Sequence, residues 1–259
     1  MKQRITSYLA LAAGLLALTP SAMQAQKPKS QKEVEALQAI QTAKTPDAQV
    51  QAIENVLTKF ADTEYKNLLL QMAMQIESQK GDYAQTLFYA ERLLEADPKN
   101  AFAMVTISGE TARHTREFDL DKEEKLAKVE KYAKEAIEAS KTMPKTRADL
   151  TDEQWDGVRK DLQSQAYEAL GMAAMVRKKV DDAISAYKQA IATAASQDPA
   201  TLVRLGQAYM DAGKFDEAND VFDKAIATPN VNPTVKAVAE EKKAELAKRK
   251  AAKPPAGQH

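Results

Sequence analysis

Seven positions in the C-terminal half recur at a single spacing. Tyr167, Leu170, Gly171, Ala183, Tyr187, Ala190 and Ile191 are matched by Leu202, Leu205, Gly206, Ala218, Phe222, Ala225 and Ile226, each 35 residues later (202 minus 167). A chain built on such a period folds as stacked units, each burying its apolar face against the next. Small residues in this pattern mark where paired helices touch, and large ones fill the neighbouring gaps. Gly206 and Ala218 are the expected closest contacts.

The units are helical. Thr45-Pro46, Asp97-Pro98, Asp198-Pro199 and Asn232-Pro233 each place a side-chain acceptor before a proline, the pattern of an N-cap followed by a first helical residue that needs no N–H. Thr151 with Gln154 forms a capping-box pattern, and Asp62 or Thr63 is expected to cap another start. Between these points apolar residues recur at three and four, as in Val50, Ile53, Val56, Leu57 and Phe60. The spacing predicts helices over 32–43, 46–60, 64–79, 83–96, 99–115, 121–141, 152–178, 181–195, 199–212, 215–227 and 233–249. With 6% aromatic residues and only 8 Gly in 259, an all-α chain is expected and a sandwich or barrel is not.

Leu202, Leu205-Gly206, Tyr209, Gly213, Phe215, Ala218, Phe222 and Ala225 resemble the tetratricopeptide repeat (TPR). An earlier unit keeps Gly81-Asp82-Tyr83 and Asp97-Pro98 but has Thr86 where Ala is usual and Met74 where Gly is usual. The unit from Ala101 carries Met104 and Ile107, then Val129, Ala133, Ala136 and Ile137, around an enlarged turn, Arg116 to Asp121. A degenerate pair at 32–60 precedes these, and 233–249 is expected to be the terminal capping helix. The resemblance covers 26–250 and implies a solenoid of helical hairpins, about 10–11 helices wound as a right-handed superhelix, whose concave surface binds a protein or peptide.

Family members that clamp a terminal carboxylate present Lys and Asn from the first helix of each pair. The corresponding positions here are Gln71 and Gln75, Val105 and Gly109, Glu168 and Met172, and Val203 and Gln207, so no basic clamp is expected. The resemblance instead implies a groove that reads apolar or amide groups, lined by Gln71, Gln75, Phe102, Val105, Glu168, Met172, Met175, Val203, Gln207 and Met210. Methionine's flexible, polarizable side chain suits adaptable contacts, although Met at helical spacing is also a core residue.

Chemistry is sparse. The absence of Cys excludes disulfides, zinc-thiolate sites and a thiol nucleophile. His114 is the only His besides His259, and no phosphate loop or Gly-x-Ser-x-Gly occurs. Asp119, Asp121 and Glu123 alternate as calcium ligands do, but the turn Gly and distal Glu of an EF-hand are missing, so a solvated charged loop is expected. No enzyme activity, cofactor or metal is expected. The 37 basic and 37 acidic residues balance, which removes the usual electrostatic basis for nucleic-acid binding.

Two local features admit two uses each. Trp155, with Val158 and Leu162, is expected to cover the preceding helix pair as core, the other use being a ligand contact. Phe118 and Leu120 are expected to fold the inserted loop back as a hydrophobic clip, the other use being a partner-binding tip.

Lys2 and Arg4 precede an apolar run from Tyr8 to Leu18, followed by Thr19-Pro20-Ser21-Ala22-Met23-Gln24-Ala25. This is the pattern of a signal peptide over 1–25, too short to span a bilayer, where about 20 apolar residues are needed. A mature chain starting at Gln26, periplasmic or secreted and without stable membrane insertion, is the expectation. Residues 251–259 have almost nothing apolar to bury and are expected to be a disordered tail. Together these features point to a non-enzymatic scaffold or adaptor of the bacterial cell envelope. The alternative is a cell-wall or outer-membrane assembly accessory acting through its terminal segments, whose relatives share the look of Phe60-Ala61-Asp62-Thr63-Glu64-Tyr65.

Overall fold

A computed structural model describes residues 27–252. The expected signal segment and residues 253–259 of the expected tail lie outside the described residues.

The described chain forms eleven helices and no strand: α1 (Gln31–Thr42), α2 (Pro46–Lys59), α3 (Lys66–Lys80), α4 (Tyr83–Ala96), α5 (Ala101–His114), α6 (Lys122–Lys141), α7 (Asp152–Val176), α8 (Val180–Thr193), α9 (Pro199–Asp211), α10 (Phe215–Ala227) and α11 (Pro233–Ala252). Several of their starts follow side-chain caps. Thr45 accepts from the Ala48 N–H, Asp198 from the Ala200 N–H at 2.9 Å, and Asn232 from the Thr234 N–H at 2.9 Å. Thr151 and Gln154 make the full capping box.

Two expected starts are corrected. Asp97 ends α4, and the cap of α5 is Asn100, whose side chain accepts from the Ala103 N–H at 3.1 Å. The Asp97 carboxylate is engaged by the Lys99 N–H and the Asn100 side-chain amide, so Asp97-Pro98 shapes a turn rather than a helix start. Neither Asp62 nor Thr63 caps α3, which begins after Tyr65 without a side-chain cap. Asp62 pairs with Lys29 at 2.7 Å, while the Thr63 hydroxyl donates to the buried Glu33 carboxylate at 2.6 Å and ties α1 to the α2–α3 turn.

The helices pack as five successive pairs, α1–α2 through α9–α10, closed by α11. First helices of neighbouring pairs also touch, α5 on α7, and α9 meets α11 in the same way. The core is correspondingly a chain of clusters. One joins α1 to α5 around Leu37, Ile53, Leu69 and Leu93, a second joins α5 to α7 around Leu126, Val129 and Leu162, and two more carry it through α7–α11. Each cluster buries what its neighbours leave open, as in quasi-one-dimensional repeats.

The 35-residue period has a direct structural counterpart. A Cβ added to Gly171 would lie 2.6 Å from Cδ1 of Tyr187, and one added to Gly206 would lie 2.7 Å from Cζ of Phe222. In both units a glycine on the first helix admits an aromatic ring from the second. The degenerate unit solves the problem differently, burying Met74 and Thr86, with the Thr86 hydroxyl donating to the Asp82 carbonyl at 2.7 Å.

Trp155 is core, 4% exposed, and its Nε1 donates to the Met143 carbonyl at 3.3 Å. The bond pins the α6–α7 connection to the extended N-terminal turns of α7. Trp155→Phe keeps most of the packing and removes the bond, so it should cost about 0.5–1.5 kcal/mol, read from the urea midpoint. No measurable loss would mean that the indole N–H is equally well served by water.

Candidate partner-binding surfaces

The ten residues expected to line a groove divide by burial. Gln71 and Gln75 on α3, Phe102 on α5, Met172 and Met175 on α7 and Gln207 on α9 are half-buried. Val105, Glu168, Val203 and Met210 are buried, between 2% and 8% exposed. These four therefore do not line an open surface. Contact between first helices turns inward positions that the helical period alone leaves on the same face as the half-buried set. Met210 belongs to the core cluster shared with Phe222 and Leu246 of α11, and Val105 to the cluster shared with α6 and α7. Gln207 donates its amide to Asp211 at 2.9 Å, and its Oε1 is buried without a hydrogen-bond partner among the described residues.

Glu168 is a structural anion. Its side chain is 7% exposed and accepts from the Arg204 guanidinium at 2.5 Å, joining α7 to α9 across two units. The 35-residue match of Glu168 is Val203, so the repeat pattern alone hides this pair. Burial, reinforced by the nearby Glu168 carboxylate, pushes the Asp198 carboxyl above its usual range. Burial likewise pushes the Tyr187 phenol up.

His114 stacks on Tyr83 with ring centroids 4.1 Å apart, and its Nδ1 lies 2.9 Å from the Glu110 carbonyl, to which it donates. Among the described residues no cluster of three or more His, Asp or Glu is placed to hold a metal ion. Asp119 accepts from the Arg116 N–H at 3.0 Å and from Lys125 at 3.1 Å, and Asp121 also pairs with Lys125, at 2.9 Å. The Arg116 N–H first and Lys125 second hold the Asp119 carboxyl below its usual range. These carboxylates brace the loop instead of converging on a cation.

The hydrophobic clip is corrected. Phe118 is 87% exposed and Leu120 fully so, with both side chains standing off the α5–α6 loop. The ion pairs of Asp119, Asp121 and Lys125 hold the loop in place without their burial.

Stacked helix pairs with a 35-residue period and glycine-aromatic contacts repeated in register define a helical-repeat solenoid. A family model described as tetratricopeptide repeat matches residues 174–241. A crystal structure of a thermophilic TPR protein of Thermus thermophilus shares the fold, with 15% identity over 82% of this chain and 95% of that one and a TM-score of 0.55. A second similar structure is PilW, a widely conserved type IV pilus biogenesis factor, with 13% identity over 88% of this chain and 93% of that one and a TM-score of 0.49. No curated protein matches the sequence. Proteins of this fold serve generally as protein-interaction scaffolds. No helix among the described residues is long and apolar enough to cross a membrane.

Proposed function

We propose that this chain is a non-enzymatic scaffold or adaptor of the bacterial cell envelope that holds a partner peptide or protein along the face formed by the first helices of its pairs. The observation that carries this reading is the run of half-buried amide and apolar side chains, Gln71, Gln75, Phe102, Met172 and Met175, along successive first helices. Such a strip offers hydrogen bonds to a peptide backbone and adaptable apolar contact, without a basic clamp to demand a terminal carboxylate. The envelope part rests on Lys2, Arg4 and the apolar run Tyr8–Leu18, a pattern that supports export to the periplasm. Intact-mass measurement of the exported protein tests it: a start at Gln26 is expected, and a mass retaining Met1 in the soluble fraction would contradict it.

The groove is tested with Gln71→Lys, Gln75→Lys and Met175→Lys, which alter half-buried positions and spare Val203 and Met210. A partner crosslinked in the native envelope and then purified should bind the triple variant roughly tenfold or more weakly. Helical content and melting should stay near the parent's. Undiminished binding by the folded variant would remove the groove. If deletion of residues 253–259 instead abolished binding, the accessory acting through its terminal segments would be the better description.

A further inference from the structure

The connection between α6 and α7, Thr142 to Thr151, is the longest between helices of the described chain. Its two ends are tied, since the Met143 carbonyl receives the Trp155 indole N–H and Thr151 caps α7. The stretch between them is bare. From Lys145 to Asp149 no backbone N–H donates to another backbone group among the described residues, and Pro144 has no N–H to give. Pro144, Lys145, Thr146, Ala148 and Asp149 are exposed. Unpaired, exposed backbone is what an endopeptidase needs, because it takes its substrate as an added strand and reads side chains in pockets.

Basic residues stand in other connections too, but there the backbone is committed. The Arg116 N–H is held by the Asp119 carboxylate at 3.0 Å, and the Arg116 carbonyl by the Asp119 N–H at 3.2 Å. The Lys178 and Lys179 N–H groups close the turn after α7 onto the Met175 and Ala174 carbonyls, and the Lys214 N–H bonds the Tyr209 carbonyl at 2.9 Å. Lys145 and Arg147 carry no such bonds on their N–H groups. Their side chains differ. The Arg147 guanidinium grips Asp149 through two bonds, from Nε at 2.7 Å and from Nη2 at 2.6 Å. Lys145 makes one bond, at 2.8 Å, to Asp152, whose side chain is 97% exposed. Lys145 is therefore the easier of the two to withdraw into a pocket, and the residue after it, Thr146, is no proline.

We propose that the α6–α7 linker is a processing site, at which an endopeptidase with an acidic primary pocket cuts the Lys145–Thr146 bond and leaves a two-chain solenoid. An acidic pocket selects Lys or Arg as the residue before the cut. The C–N bond breaks, the hydroxyl of a water completes the Lys145 carboxyl, and the other proton of that water goes to the Thr146 nitrogen. At neutral pH the carboxyl's own proton follows, leaving a carboxylate and an ammonium. The cut removes no packing. Leu126 and Val129 of α6 and Leu162 and Ala166 of α7 lie on opposite sides of it and share one buried cluster, so the halves stay joined. Connectivity is what changes: the stability of the two-chain form depends on its concentration, and that of the intact chain does not.

Trypsin in trace amount on the full chain is the probe, with the products weighed by mass spectrometry. The first internal cut, between residues 31 and 247, should fall after Lys145, and subtilisin, which tolerates most side chains, should cut within 143–150. Both tryptic products should leave a gel-filtration column together at the parent's volume, with the parent's helical content. Lys145→Gln should slow the first cut roughly tenfold or more. Asp149→Ala releases Arg147 and should raise the share of cutting after it several-fold, whereas Asp152→Ala should not. The urea midpoint of the nicked protein should rise with its concentration while the parent's stays fixed. In extracts of cells that make the protein, an antibody to the C-terminal half should find the fragment that begins at Thr146, and Lys145→Gln with Arg147→Gln should remove it. A first internal cut in another connection, halves that separate on the column, a product ratio indifferent to Asp149→Ala, or extracts without the fragment would overturn the proposal.

Discussion

Arg204→Met is expected to lower the stability of the C-terminal repeats by about 3–5 kcal/mol, the cost of leaving a buried carboxylate without its cation. Glu168 is 7% exposed at its side chain and Arg204 19%, so little water can replace the lost partner. The pair spans from α7 to α9, and its loss loosens the joint between two units as well as one helix. The double replacement Glu168→Leu with Arg204→Met should recover most of the loss, since removing both charges removes the desolvation cost together with the attraction. Urea midpoints for the two single variants and the double form a cycle in which the double loss should be clearly smaller than the sum of the single losses. Losses that simply add would show that the guanidinium and carboxylate do not act on each other in solution.

Different parts of this molecule are legible in the sequence for different reasons. The units α7–α8 and α9–α10 are visible because Gly171 with Tyr187 and Gly206 with Phe222 solve one steric problem twice, and a repeated solution leaves a fixed offset. The caps Thr45, Thr151, Asp198 and Asn232 are visible because capping is local. Asp97 misleads because Asn100 competes for the same helix start, and a choice between two nearby caps depends on where the preceding helix releases the chain. The binding face is legible only in part. Helical period places Val105, Val203 and Met210 on the same face as the half-buried set, and only packing against neighbouring helices decides which residues are covered. Glu168 looks like a groove residue in the sequence because its partner, Arg204, sits one position away from the 35-residue match. In the loop, apolar residue type argues for burial of Phe118 and Leu120. The ion pairs of Asp119, Asp121 and Lys125 decide otherwise, because they hold the loop in shape without needing its apolar side chains.

The glycine-aromatic contact gives the other large expected effect. Gly206→Leu should destabilise the C-terminal repeats by at least about 1–3 kcal/mol, the usual cost of overpacking a filled core. The upper part of that range is expected, because even a Cβ at this position would lie 2.7 Å from Cζ of Phe222. Phe222 is fully buried between α9 and α10, with Ala218 and Ala225 of its own helix also fully buried, so the ring has no space into which to turn. Relief therefore requires α9 and α10 to separate, which also weakens the contact of α11 with both helices. Gly171→Leu meets Tyr187 in the same way and should behave alike. Lys214→Leu is the control: it precedes α10 at the exposed turn, and its ion pair with Asp181 at 3.7 Å lies at the surface, so a change within about 0.5 kcal/mol is expected. Shortening the ring offers a rescue. Gly206→Ala should cost less when combined with Phe222→Leu than the two separate losses predict, since the smaller side chain vacates the volume that the new methyl occupies. Denaturant midpoints decide the matter. Equal losses at positions 206 and 214, or strict additivity of the 206 and 222 changes, would show that the ring does not rest on the glycine and that the two units do not close on each other through this contact.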